Sequence, residues 1–187
     1  MLIAHAPAGY LIGKVLNSTV REKNILILPV CILGAVICDF DMVYQCFYDK
    51  MSQNHHAYWT HIPVYWSPLI PLALIVGIFS KKLSNLIWSF FAGVLSHLCL
   101  DSVIQGIKWC YPYKDEYYGL VPMKDIEILT NPTKMFKLFE NNFFELSVRG
   151  WVYNLISHWT FKLEIAIVSV ALLVFIFSFL KTLVKNR

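Results

Sequence analysis

The pentapeptide "HLCLD" places His97 and Asp101 four residues apart. On an α-helix that spacing puts both side chains on one face, about a turn from each other. An imidazole and a carboxylate so arranged suit two ligands of one metal ion. The flanking residues, "GVLS" before and "SVIQGI" after, are of membrane type. An unpaired aspartate at the centre of a bilayer costs about 2.5–3.5 kcal/mol even on a lenient scale, so the pair requires a partner. The partner is either a metal ion or proton relay, or a neighbouring helix locked by a His–Asp hydrogen bond.

Further groups of the same chemistry lie upstream. "CDFDMVY" carries Asp39 and Asp41 directly after an apolar run. Paired carboxylates there can ligate a cation, and one can serve as a base, while the plainer reading is a solvated helix end. "NHHAYWTHIPVYW" carries His55, His56 and His61 in a short loop, which reads as metal ligands or as pH-sensitive surface histidines. Its Tyr58, Trp59, Tyr65 and Trp66 read as interfacial anchors. In "HAPAGYLIG", His5, Gly9 and Gly13 share one helical face. The G-x-x-x-G pair permits close helix packing, and His5 above it is a ligand or a satisfied core histidine. His158 and Glu164 do not form a helical pair and read as interfacial polar residues. Lys108, Lys114 and Arg149 could receive an anionic substrate, or be solvated charges. The chain has no G-x-S-x-G, P-loop, dinucleotide fingerprint or H-E-x-x-H, which argues against serine-hydrolase, nucleotide-driven and zincin chemistry.

The elements that must position these groups are membrane helices. Of 187 residues, 57% are hydrophobic and only 15% charged, and the mean hydropathy is +0.55. Soluble domains carry about a quarter charged residues. The five cysteines form no C-x-x-C pair, and a Cys46–Cys110 bridge would require an oxidising space. No removable signal peptide is expected at the N-terminus.

Residues 163–180, 61–79 and 84–107 reach the roughly 20-residue spanning length, the second kinked at Pro68 and Pro71. Residues 2–16 and 24–38 are shorter, tilted or shallow. Arg21, Lys23, Lys81, Lys82, Lys181, Lys185 and Arg187 cluster at segment ends, as the positive-inside rule expects of cytoplasmic ends. That assignment brings His5, Asp39, Asp41, His55, His56, His61, His97 and Asp101 to the opposite face. Residues 114–160 are expected to contain amphipathic surface helices that act as a lid.

In order, His5 with Gly9, "DFD", "HAYWTH", "HLCLD", Gly106 and "YPY" resemble the bacterial family of LexA-regulated, membrane-bound metal-dependent hydrolases over residues 5–113. The family's P-D-x-D turn is matched by Asp39 and Asp41, with Cys38 in place of proline. Its H-R-G-x-T-H-S loop is matched at His56, Thr60 and His61, with Ala57, Tyr58 and Ile62 as departures. That family is similar in turn to zinc-dependent phospholipases C and single-strand-specific zinc nucleases.

The resemblance implies an all-α bundle of about three to five membrane-embedded helices, as a single domain over 1–187 with a terminal span at 161–181. It implies His5, Asp41, His56, His61, His97 and Asp101 as ligands of one to three Zn²⁺ ions, with Mn²⁺ or Fe²⁺ as alternatives. Asp39 would be a further ligand or the catalytic base. The activity expected is hydrolysis of a lipid-derived or periplasmic phosphoester on the extracytoplasmic face of a multi-pass bacterial inner-membrane protein. Membrane lipids are the expected partners, and no nucleic acid is expected. A transporter of metal ions or protons built on the same cluster is the alternative, and a metal that merely staples short helices is a third.

Overall fold

A computed structural model describes residues 3–20, 23–48, 55–104, 106–120 and 159–185. The expected lid lies largely outside these residues, as do His158 and Arg149. The elements run α1 (His5–Thr19), α2 (Ile27–Ile37), α3 (Phe40–Phe47), three 3₁₀ turns between His55 and Trp66, α4 (Leu69–Phe79), α5 (Lys81–Ile104) and α6 (Trp159–Lys185). The fold among the described residues is all-helical, and its nearest approach to a strand is an isolated bridge between Ile107 and Tyr118.

Small residues decide how the helices meet. The buried residues of α1 are His5, Gly9 and Gly13, the three that share a face in the sequence. A Cβ on Gly9 would lie 2.6 Å from the Ala35 side chain. The crossing of α2 and α5 is closer still, because a Cβ on Gly34 would lie 2.2 Å from the Phe90 carbonyl oxygen and one on Gly93 2.1 Å from that of Cys31. Backbone-to-backbone packing of this kind drives helix association in lipid, where tails compete with every larger apolar side chain.

The contacts also fix direction. Gly9 faces Ala35 and Gly13 faces Leu28, so α1 and α2 are antiparallel. Gly93 lies against Cys31, and His97 reaches Ala35, so α2 and α5 run the same way. Glu164 near the start of α6 accepts the Ile3 amide at 2.7 Å, and Phe175 further along meets Tyr10. One end of the bundle therefore collects the N-terminal ends of α1 and α6 and the C-terminal ends of α2 and α5. Lys23, Lys81, Lys82 and Lys181 lie toward the other end.

Among the described residues, two helices are long and apolar enough to cross a membrane, Lys81–Val103 and Trp159–Val184. This is fewer than the three to five expected. The shortfall arises at 61–79, which forms a 3₁₀ turn at Pro63–Trp66 followed by the 11-residue α4. Proline has no amide hydrogen and is tolerated where a helix has no use for one, in its first turn. Pro68 is accordingly the N-cap of α4 and Pro71 lies in its first turn, so the prolines begin a helix instead of kinking a span. At 11 residues, α2 is also short of the roughly 30 Å hydrocarbon core, since a helix rises about 1.5 Å per residue.

Candidate metal centre

The end of the bundle where α1, α2 and α5 converge holds a buried polar cluster. His5 opens α1, and Asp39 immediately precedes α3, with Asp41 in its first turn. His56 and His61 lie on consecutive 3₁₀ turns. His97 and Asp101 sit in the last two turns of α5. His5, His56, His61, His97, Asp41 and Asp101 are all buried. The Asp39 carboxylate, about 32% exposed, is where the cluster reaches the surface.

The imidazoles are aimed through their Nδ1 atoms. His97 Nδ1 lies 2.8 Å from the Ala35 carbonyl oxygen, and His56 Nδ1 lies 3.2 Å from that of Gly106. His61 Nδ1 lies 2.7 Å from Asp41 Oδ2, which also accepts the Thr60 hydroxyl. Carbonyl and carboxylate oxygens only accept, so each Nδ1 carries the proton and each neutral ring turns a bare Nε2 lone pair inward. Hydrogen bonds of this type fix the tautomer and orientation of metal-binding histidines. Gly106 presents its carbonyl from a positive φ of 78°, a conformation that glycine adopts without steric cost. Paired backbone hydrogen bonds of 3.0 and 2.9 Å between Ile107 and Tyr118 hold that turn.

The inward atoms crowd one another. His97 Nε2 is 3.1 Å from His61 Nε2 and 2.9 Å from Asp101 Oδ2. Around the same carboxylate, His5 Nε2 lies 3.3 Å from Oδ1, and His61 and His56 lie 3.5 and 3.6 Å from Oδ2. Asp39 Oδ1 is 3.6 Å from His97 Nε2 and 3.9 Å from His61 Nε2. Facing lone pairs at these distances repel unless a cation or protons lie among them. The carboxylates beside His61 favour a proton on that ring. Burial opposes its charge, but the Asp101 and Asp41 carboxylates outweigh burial and raise its pKa to about 9. Burial dominates at His56 and lowers its pKa to about 4 despite Asp101. The buried Asp41 Oδ1 and both ring nitrogens of His5 lack a hydrogen-bond partner of good geometry. A divalent cation fits this donor set of imidazoles and carboxylates.

Among the described residues, three groups each bring their ligand atoms within 4.8 Å of one another: His5, His97 and Asp101; Asp39, His61 and His97; and His55, His56 and His61. Of the residues expected as ligands, Asp41 lies behind His61 rather than among these groups. Sequence leaves the role of His55 open, because adjacent histidines point the same way on neither a helix nor a strand. The 3₁₀ turn stacks His55 edge-on to His56, with ring centroids 4.3 Å apart. The carbonyls of Ala35 and Gly106 carry no side-chain signal at all. Elsewhere, Lys108 pairs with Asp115 at 2.5 Å, Cys110 is a free thiol, and Glu164 is buried against the N-terminal segment.

The family model described as YdjM inner membrane protein matches residues 1–183, and the chain belongs to that family. No curated protein and no solved structure matches it.

Proposed function

Starting from an inner-membrane protein, we propose that the chain is a metal-dependent hydrolase of phosphoesters, with the His–Asp cluster as its active site. The observation that carries this reading is the convergence of inward Nε2 atoms on Asp101, with the Nδ1 atoms of His56, His61 and His97 each held from behind. Such a site is built to hold positive charge. His5, His56, His61, His97 and Asp101 would hold the Zn²⁺ expected there, which would supply Lewis acidity and lower the pKa of water to about 7.

The chain's own residues do the rest. Asp41 and Thr60 keep His61 from rotating, and Ala35 and Gly106 do the same for His97 and His56. Asp39 is partly exposed and within 4 Å of His61 and His97 Nε2, so it can orient water at the mouth and accept its proton. The phosphoester enters beside Asp39, and burial of the remaining ligands excludes bulk water from behind.

The lysine-bearing ends lie opposite the cluster, which supports an extracytoplasmic site under the positive-inside rule. A substrate borne by the lipid surface or the periplasm follows from that placement. The test is hydrolysis of phosphoester lipids and soluble phosphodiesters by detergent-purified protein with added Zn²⁺, beside Asp39→Asn and His97→Ala. Turnover in the wild type that falls at least 100-fold in both variants is expected. Equal turnover in all three would overturn the reading, and metal-dependent flux in proteoliposomes without hydrolysis would replace it with transport.

A further inference from the structure

The three ligand groups cannot all be filled at once. His61 and His97 have their Nδ1 atoms committed to Asp41 and Ala35, so each offers only Nε2. One nitrogen lone pair binds one cation, and the group of Asp39, His61 and His97 draws on both of the others. The two groups that share no residue are His5–His97–Asp101 and His55–His56–His61. We infer that the site takes two divalent cations, one on each of these groups, and that His55 is a ligand of the second. This rests on the metal-dependent reading above.

The two groups differ in access. His5, His97 and Asp101 are all buried, whereas His55 is only half-buried beside buried His56 and His61. His55 is the member of the second group that solvent reaches. Its ring lies 5.1 Å from His61 and nearly perpendicular to it, which keeps the two from stacking face to face. Asp101 Oδ2 lies 2.9 Å from His97 and 3.6 Å from His56, so one carboxylate borders both groups. Two-metal sites hold their ions about 3.5–4 Å apart, a separation that one carboxylate can bridge. Three protein ligands and an open position are what a cation that activates water requires. The half-buried group has its open side toward solvent, and Asp39 stands nearby, 3.9 Å from His61. The buried group then serves to organise the helices.

The experiment is zinc content per chain, by elemental mass spectrometry, on the full chain purified in detergent with added Zn²⁺ and dialysed without chelators. His55→Ala, His55→Asp and His5→Ala are measured alongside, each with its melting temperature. Two equivalents are expected in the wild type, one in His55→Ala, two in His55→Asp at weaker affinity, and one in His5→Ala. A single equivalent in the wild type, or unchanged zinc in His55→Ala, would overturn the second cation and leave the metal-dependent reading intact. Zero equivalents in a folded His55→Ala would also overturn it, because the buried group would then not hold an ion by itself. No zinc in the wild type would overturn the metal-dependent reading itself.

Discussion

The two helices of membrane length, α5 and α6, pass the same test of apolar length yet differ in what surrounds them. In its most apolar stretch α5 is 44% buried within the protein, whereas α6 is 11% buried. The outward side chains of α6, among them Leu172, Leu173, Phe175 and Phe177, are large, apolar and exposed. Those of α5 that matter most face inward: Gly93 against α2, then His97 and Asp101 in the cluster. A spanning segment that carries ionisable groups must turn them into protein, whereas one that only anchors can turn everything outward to lipid. Glu164 gives α6 a polar link to the site end, where it accepts the Ile3 amide.

Substitutions on the two helices should therefore differ in kind. The largest effect is expected in the last two turns of α5: His97→Ala and Asp101→Ala should each cost more than about 100-fold in zinc affinity, exceeding the loss typical of supporting residues. Isothermal titration of chelator-stripped protein would measure this, and unchanged affinity would remove the distinction between the helices. Next, Asp41→Asn and Thr60→Val leave every inward atom in place but loosen His61, so a loss of about 10–100-fold is expected in the same titration.

Glu164→Ala removes a charge-assisted hydrogen bond to the segment that leads into His5. A stability loss of about 1.5–3 kcal/mol is expected on thermal unfolding, with Glu164→Gln retaining part of it. The smallest effect belongs to Leu173→Ala on the outer face of α6, which should change neither zinc affinity nor melting temperature in detergent. A clear shift there would show that α6 packs against another surface.

Much of this site is legible in the amino-acid order. His5, Gly9 and Gly13 declare a shared face by spacing alone, and the fold buries those three on α1. His97 and Asp101 likewise announce one face, because helical periodicity is local. The number of spanning helices is less legible, since hydropathy over 61–79 does not reveal that Pro68 and Pro71 begin the helix. The place of Asp41 is hidden too. Both Asp39 and Asp41 have the same chemistry and flank the same turn, and only the packing of the 3₁₀ loop sends one to the back of His61 and leaves the other at the mouth.

A helical inner-membrane chain with histidines and aspartates gathered toward one end follows from the order of residues. Composition, helical periodicity and the spacing of basic residues are properties of neighbours along the chain. Which nitrogen of each histidine faces inward, and which carbonyls hold it there, emerges only when the helices pack. So does the meeting of six side chains from five segments within a few ångströms. Those depend on where α1, α2 and α5 cross. The crossings are set by glycines whose partners, such as Phe90 for Gly34 and Cys31 for Gly93, lie far along the chain, beyond the reach of any local pattern.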